Sequence, residues 1–340
     1  RFSGEFFRDD LSNTAYPEIV VWGRSYRLNA HRLLGQYQKL DQIVQCPEDP
    51  EKRENSFVFR NTAAGTTFWL QNPQLIEDVP RTLVKDKEAD TSFFPIGSYG
   101  GSVDNIGLQK QMGLNSAVIT MDEKAIDACI DGDMHCLLAV PHDPEKLLLA
   151  LPPLEKKLAA GRFSFYVNDE PEIQSFPPSK AQDIAQILRD RFPGKSTSMA
   201  VVRPQGIPAY ADGADYFMLD QYPVPFMPMA WLADSMDEAA GYVGKNRLQS
   251  VIQAFGGEKH ASSGWPRLPS FAEMNCLAFL SIIHGSRGIY FYTWAEITGD
   301  KQGRSDFQEV VSRLNKMLPW LKLENKEQPL ELTMTSLNTV

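Results

Sequence analysis

Residues 162–172, RFSFYVNDEPE, predict a buried β-strand that ends in acidic side chains. The first half of this stretch is rich in aromatic residues and ends in valine, and these residue types favour strands. The second half places Asp169, Glu170 and Glu172 within four positions. In parallel barrels the carboxyl end of each strand opens onto a shared pocket, so the stretch also predicts where acid/base chemistry would take place.

The chain from residue 93 to residue 320 alternates between short apolar runs and helical patterns. The eight predicted strands are residues 93–98, 116–120, 136–140, 163–167, 198–202, 216–219, 250–255 and 288–292. These runs are continuously apolar, as in parallel strands that helices cover on both faces. Eight strand–helix units predict a (β/α)8 barrel. An open, doubly wound sheet is the alternative, although residues 97–101, GSYGG, lack the glycine pattern of its phosphate-binding turn.

Different patterns flank this region. We predict a β-rich accessory domain over residues 1–90, the barrel over residues 91–322, and the start of a C-terminal β segment over residues 323–340. Strand-like runs in the first part cover residues 19–22, 56–60 and 66–70, and residues 61–65 between the last two predict a hairpin loop. The last part contains one run that looks like a strand just begun, which would make the chain a fragment of a longer protein.

Composition excludes several classes of partner. The formal net charge of -9 argues against binding to nucleic acid or to an anionic membrane surface. No apolar run approaches the roughly 18 residues that a membrane span needs. The five histidines show no HxH or HExxH spacing, so we expect neither a metal nor another cofactor. The four cysteines show neither CxxC nor zinc spacing, and we predict buried free thiols at Cys46, Cys129, Cys136 and Cys276.

Side chains just past the carboxyl ends of the strands should line the mouth of such a barrel. These candidates are Tyr99, Asp122, His142, Asp143, Asn168, Asp169, Glu170, Glu172, Asp220, Tyr222, Gln253, Glu258, Trp294 and Glu296. Asp122 and Asp143 stand where helix N-caps are expected, and we assign them to capping. The others combine carboxylates with aromatic rings. Carbohydrate sites need both, because rings pack on the apolar faces of sugars and carboxylates transfer protons or stabilise an oxocarbenium-like transition state.

Each candidate also has a plain structural interpretation. Asp169 has Glu172 three positions later, which is the spacing of a capping box, although two prolines delay the next regular helix to Ser179. Asp220 lies in a sequence typical of a turn, and Trp294 is as consistent with the core as with a site. His142, Glu258 and Glu296 are consistent with solvated surface positions.

Residues 168–171, Asn-Asp-Glu-Pro, resemble a motif of the clan A glycoside hydrolases with one residue inserted. In that clan strand four ends in Asn-Glu-Pro and the glutamate is the general acid/base, which implies this role for Glu170. An aromatic residue ends strand eight in the clan and corresponds to Trp294. The resemblance covers about residues 93–320. The adjacent Asp169 and Glu170 are also similar to a pair in barrel hexosaminidases, in which the aspartate orients the substrate acetamido group and the glutamate is the acid.

The chain departs from the clan at strand seven, where the retaining mechanism needs a nucleophilic glutamate. The predicted strand ends in Gln253, Ala254 and Phe255, and the nearest acid is Glu258. Three explanations remain open. The side chain of Glu258 folds back into the site, the substrate itself supplies the nucleophile, or the domain has lost activity and only binds glycan.

We therefore predict a glycoside hydrolase that acts on an oligo- or polysaccharide and is exported. The predicted catalytic residues are Glu170, Asp169 and Asp220, and the predicted substrate-binding residues are Tyr99, Tyr222, Gln253, Glu258, Trp294 and Glu296. Because two adjacent carboxylates cannot both ionise freely, we expect Glu170 to hold a proton while Asp169 stays ionised. The alternatives are an inactive glycan-binding or structural barrel and a barrel enzyme of another class, such as a metal-dependent hydrolase or lyase.

Overall fold

The structure is a computed structural model that describes residues 92–174 and 176–322, together with six strands closer to the N-terminus. These strands, β1–β6, are Phe2–Arg8, Glu18–Val21, Arg24–Arg27, Gln38–Gln42, Phe57–Arg60 and Phe68–Leu75. They pair antiparallel in two three-stranded sheets, ordered β4-β1-β6 and β3-β2-β5. The predicted hairpin between β5 and β6 is wrong, because β5 pairs with β2 whereas β6 pairs with β1. The predicted strand in residues 323–340 lies outside the described residues.

Eight parallel strands form a closed barrel in chain order, from β7 to β14. They are Ile96–Ser98, Ser116–Thr120, His135–Ala139, Phe163–Asp169, Thr197–Val201, Tyr216–Leu219, Leu248–Gln253 and Ile289–Tyr292. β14 pairs with β7 and so closes the barrel. All eight predicted strands are found within a few residues of their expected bounds, and the (β/α)8 prediction is confirmed. The alternative of an open, doubly wound sheet is wrong.

Helices connect the strands on the outside of the barrel. The helices α1–α10 are Ile106–Gln111, Glu123–Asp131, Pro144–Ala150, Glu155–Ala160, Pro178–Arg191, Ile207–Tyr210, Ala230–Val243, Phe271–Ile283, Trp294–Gly299 and Lys301–Leu321. The side chain of Asp122 accepts a hydrogen bond from the Ala125 amide at the start of α2. The side chain of Asp143 accepts in the same way at the start of α3. Both predicted caps are confirmed, because an aspartate before a helical pattern satisfies free backbone N–H groups.

The barrel has two apolar layers. One fills the interior of the barrel and consists of Val118, Leu137, Tyr166, Ala200, Met218, Val251 and Tyr290. The other packs the outer faces of the strands against the helices. Along β10, Tyr166 belongs to the interior, whereas Phe165 and Val167 belong to the outer layer. Because alternate strand residues point to opposite faces, the next inward positions beyond Tyr166 lie at the mouth.

The cysteine prediction is wrong for the described part of the chain. Cys129 on α2 and Cys136 on β9 are both buried and form a disulfide, with a Cα–Cα distance of 6.4 Å. The short turn between α2 and β9 brings the two side chains together in the layer between helix and strand. Cys276 on α8 is a free thiol, but it is exposed. Cys46 lies outside the described residues. Within the described ranges, no helix is both long and apolar enough to cross a membrane.

Candidate active site

The acidic end of β10 has an irregular backbone. The register between β10 and β11 shifts after Tyr166, and Asn168 is only 1% exposed. Glu170 follows the strand with a φ of 46°, in the left-handed region that residues with a Cβ seldom adopt. A non-glycine residue held in this region carries strain that the surrounding structure has to sustain, and such residues cluster at functional sites. The turn that ends strand four is therefore a candidate for the active site.

Glu170 forms a hydrogen bond with Asp220, which follows β12 and is 3% exposed. Burial raises the pKa of the Glu170 carboxyl, and the hydrogen bond with Asp220 opposes that rise. Burial, together with repulsion from Glu170, raises the pKa of Asp220 well above its usual range. Two carboxyl groups that are joined by a hydrogen bond hold one proton between them, so the pair titrates as a unit.

Asp169 belongs to the same group of acids but has a different partner. Its Oδ1 accepts a hydrogen bond of 2.5 Å from the Tyr166 hydroxyl, which lies in the barrel interior. The charge of Asp169 acts on both Glu170 and Asp220. The structure thus brings the three predicted catalytic residues together. It corrects the pairing, because the hydrogen-bonded partner of Glu170 is Asp220 from another strand rather than its neighbour in sequence.

Tyrosine rings form one side of the mouth. Tyr99, directly after β7, makes edge contacts with Tyr166 and Tyr292. Tyr222 stacks on Tyr292 with a centroid distance of 5.9 Å and an interplanar angle of 25°. Burial raises the pKa of the Tyr99 and Tyr222 hydroxyls well above the usual range, so both stay neutral. The rings of Tyr99, Tyr222 and Tyr292 thus form an aromatic wall, which offers apolar surface and hydroxyl groups beside the acids.

Trp294 does not line the mouth. It is 2% exposed, begins α9 and packs against Phe307 in the outer apolar layer. The ring at the mouth is that of Tyr292, the last residue of β14, which is 39% exposed. The alternation of side chains along a strand could have predicted this position. Tyr290 points into the barrel, and Tyr292, two residues later, lies on the same side of the strand.

The predicted ligand Gln253 is used within the protein. It is fully buried, its Oε1 accepts from the Val224 amide, and its Nε2 donates to the carbonyl oxygens of Val224 and Phe255. Its amide therefore fixes the loop after β12, the loop that begins with Asp220 and Tyr222. The structure thus places Gln253 beneath the mouth with its side-chain amide paired, and its contact with substrate stays a prediction.

Two acids lie on the neighbouring loops. Glu258 begins a 3-10 turn, Glu258–Ser263, and is exposed. Glu296, in the first turn of α9, pairs with Lys259 and His260 at 2.9 Å each. Burial would raise the pKa of Glu296, but its bonds with Lys259 and His260 bring it below the usual value. The His260 ring contacts Phe255, which places this ion-pair group next to the aromatic wall.

Two polar residues near the acids received no role from the sequence. Oε1 of Glu172 accepts from the amides of Val202 and Arg203 at 2.7 and 2.9 Å, and burial raises the pKa of Glu172 to about 7. Asn168 has no hydrogen-bond partner among the described residues for either side-chain polar atom, although both atoms are buried. Buried amides are usually paired, so an unpaired one beside the acids is a candidate contact for a bound molecule. Both residues lie in the acidic stretch, but no pattern in the sequence separates their environments from that of Asp169.

The sequence matches no protein-family model and no curated protein. Its fold is similar to that of a chitinase from Chromobacterium violaceum ATCC 12472 (15% identity, 65% of this chain and 98% of that chain, TM-score 0.44). It is also similar to a GH99 endo-alpha-mannosidase from Bacteriodes thetaiotaomicron (8%, 64% and 83%, TM-score 0.48) and to a GH5-4 broad specificity endoglucanase from an uncultured bacterium (9%, 73% and 99%, TM-score 0.41). By name these three proteins are glycoside hydrolases. Similarity at these identities and TM-scores extends to the barrel fold alone, and the activity depends on the residues of the site.

Proposed function

We propose that this protein is a glycoside hydrolase acting on an oligo- or polysaccharide, with Glu170 as the general acid. The observation that supports this most is the position of Glu170 at the mouth of the barrel, where it is half-buried beside two further acids, Asp169 and Asp220. A general acid must keep its proton near neutral pH, and burial raises the pKa of the Glu170 carboxyl in the required direction. Glu170 is also the less buried of the two, so it is the one that a substrate can reach.

The closeness of the pair restricts the role of Asp220. Acid and nucleophile in a retaining glycosidase lie about 5–5.5 Å apart, and acid and base in an inverting one about 6.5–9.5 Å apart, because a sugar or a water stands between them. Carboxyls in a hydrogen bond leave no such room. We therefore assign Asp220 to sharing the proton of the pair in the resting site. When Glu170 gives this proton to the glycosidic oxygen, both carboxyls are left charged, and the proton released by the water that completes hydrolysis restores the pair.

The second function in the reaction falls to Asp169. Its carboxylate is held by the Tyr166 hydroxyl and is exposed to the mouth. There it can orient an acetamido group of the substrate and stabilise the positive charge that develops at the sugar ring. Residues 254–257 after β13 contain no acid. A mechanism in which the acetamido group of the substrate acts as nucleophile needs no carboxylate there.

The aromatic wall supplies the remaining contacts. Tyr99, Tyr222 and Tyr292 present rings and hydroxyls next to the acids, as a sugar-binding surface requires. Glu258 and Glu296, on the loops after β13 and β14, are assigned to outer contacts with the glycan. A polysaccharide substrate also fits an exported protein.

Hydrolysis tests this assignment directly. Wild type and Glu170→Gln are assayed against aryl glycosides and natural oligosaccharides, with N-acetylated sugars included. We expect the wild type to cleave an N-acetylated member and Glu170→Gln to lose about 10²–10⁴-fold in rate, the usual contribution of a general acid. Glu309→Gln, at an exposed glutamate on α10, is the matched control and should keep the wild-type activity. Equal turnover by wild type and Glu170→Gln on every accepted substrate would refute the role of Glu170.

A second candidate function is a barrel that recognises glycan without cleaving it. The lack of an acid after β13 is the observation that favours it. Binding of an oligosaccharide without hydrolysis by the wild type would select this function.

A further inference from the structure

A cavity of about 440 Å³ opens beside the mouth, between the loop after β11 and helix α7. We propose that this cavity binds a sugar residue of the same glycan chain that is cleaved at Glu170, so that it serves as a second subsite. The proposal rests on the proposed function, but the cavity can be tested separately from hydrolysis.

One wall of the cavity is a single face of α7. Trp231, Asp234, Ser235 and Glu238 all line it. Their spacing of three, four and seven positions places them on the same side of a helix. The opposite wall consists of residues 202–205, which follow β11, and of Ile173. The cavity is therefore built from regular structure on one side and from the loop next to the acids on the other.

The chemistry of the lining suits a neutral polyhydroxyl ligand. Glu238 is occupied by Gln205 and by the Tyr242 hydroxyl. Asp234 is exposed, and in the described part of the chain it makes no hydrogen bond or ion pair. A carboxylate accepts hydroxyl protons, a guanidinium donates to hydroxyl oxygens, and an indole packs on the apolar face of a sugar ring. Asp234, Arg203 and Trp231 supply these three groups, and the mixture of charges disfavours a simple anion or cation.

A hydrogen-bonded contact and a charge interaction connect the cavity to the acids. Glu172 binds the amides of Val202 and Arg203, which ties the end of strand four to the cavity wall. Arg203 lines the cavity, and its charge also acts on Glu170, where it opposes the rise that burial causes in the pKa of that carboxyl. A glycan that extends from Glu170 towards the loop after β11 would reach this wall of the cavity.

The test compares substrates of different length. Chito-oligosaccharides of two to six units and an aryl N-acetylglucosaminide are assayed with wild type, Trp231→Ala and Asp234→Asn. We expect both variants to lose about three- to tenfold in kcat/KM on the longer oligosaccharides and to keep the wild-type value on the aryl glycoside, because only long chains reach the cavity. Trp231→Phe should recover most of the loss, and Trp320→Ala, at an exposed tryptophan on α10, is the matched control.

The outcomes separate the cavity from the active site. Equal losses on all substrate lengths, or no loss on any, would overturn the subsite. If the wild type cleaves none of the probes, the proposed function fails, and calorimetric titration with chitohexaose then tests the cavity. Weaker binding by Trp231→Ala than by Trp320→Ala supports the subsite, whereas equal binding or none overturns it.

Discussion

The two ends of the barrel both carry polar groups, but they use them in opposite ways. At the amino ends of the strands, His135 lies between the hydroxyls of Ser116 and Ser164 at 2.8 and 2.6 Å, and Ser116 also contacts the Tyr290 hydroxyl at 3.0 Å. At the carboxyl ends, the acids Glu170 and Asp220 lie next to each other and share one hydrogen bond.

The two ends differ in charge and in how completely their polar atoms are hydrogen-bonded. Burial lowers the pKa of His135 to about 3, so the group of His135 and its hydroxyls is neutral and both ring nitrogens are paired. At the mouth, Glu170 has a strained backbone and Asn168 has unpartnered amide atoms within the described region. Neutral, paired groups stabilise a fold, whereas clustered acids cost stability and remain available to a ligand. Variants at the two ends should therefore separate activity from stability.

The largest expected effect concerns the acid pair. Glu170→Gln and Asp220→Asn should each lower kcat/KM by about 10²–10⁴-fold, and the double variant should lose little more, because residues that act as a unit are not additive. Thermal unfolding of each variant should occur at or above the wild-type temperature, since the repulsion between the acids is relieved. Multiplicative losses in the double variant would show that the two carboxyls act independently.

At the opposite end, His135→Ala should cost about 1–3 kcal/mol in the free energy of unfolding, because the hydroxyls of Ser116 and Ser164 lose their partner. The kcat/KM of the folded protein should stay within about twofold of wild type. Urea unfolding and the hydrolysis assay measure the two quantities. His284→Ala removes a histidine that pairs with Asp237 at the surface and should cost at most about 1 kcal/mol. A selective loss of activity in His135→Ala would contradict the division between the two ends.

A smaller effect is expected from Glu172, which connects the mouth to the loop after β11. Burial raises its pKa to about 7 from 4.5. Between these two values the folded protein keeps a proton that the unfolded chain has lost, so this contribution to stability is complete below pH 4.5 and lost as the pH rises through about 7. The unfolding free energy of wild type minus that of Glu172→Gln should therefore be lower at pH 8 than at pH 5, by on the order of 1–2 kcal/mol.

Glu273 provides a control whose effect on stability has the opposite sign and falls below pH 4.5, so the difference between wild type and Glu273→Gln should stay level between pH 5 and pH 8. The bonds from Arg267 lower the pKa of Glu273 to about 2, so its contribution is present above pH 4.5 and lost as the pH falls through about 2. If the difference in unfolding free energy between wild type and Glu172→Gln stayed constant from pH 4 to pH 8, the raised pKa of Glu172 would be refuted.

The smallest expected effect is a shift in the pH profile of the activity that Asp169→Asn retains. Burial raises the pKa of Glu170, and the charge of Asp169 adds to that rise. Asp169→Asn should therefore lower this pKa, so that Glu170 loses its proton at lower pH and the alkaline limb of kcat/KM moves towards acid pH. The asparagine oxygen can still accept from Tyr166. A limb that stays in place or moves to higher pH would mean that Asp169 does not act on Glu170.

Much of the barrel followed from local sequence. The apolar runs predict the eight strands because each strand is buried on both faces, and Asp122 and Asp143 predict helix starts because a cap needs only its own neighbours. The acids at the end of β10 were found in the same way, since strand polarity alone places them at the mouth. Residues 1–90 as a separate domain, and the roles of the site residues, stay predictions.

Contacts between distant segments were beyond this kind of reasoning. Cys129 and Cys136 are close in sequence, but only the packing of α2 on β9 brings them into a disulfide. The aromatic residue at the mouth is Tyr292 rather than Trp294, because the last residue of β14 points inward and the next turn belongs to a helix. Gln253 is used by the loop after β12, which no local pattern reveals.

The sequence by itself determined a barrel of eight parallel strands with acids at its mouth, because burial and strand polarity are properties of short segments. Only the tertiary structure decided which acid pairs with Glu170. Asp220 follows a different strand, and the closing of the barrel brings the ends of β10 and β12 within reach of each other. The local order of residues fixes which groups are available, whereas the pKa of each group depends on neighbours that only the closed sheet supplies.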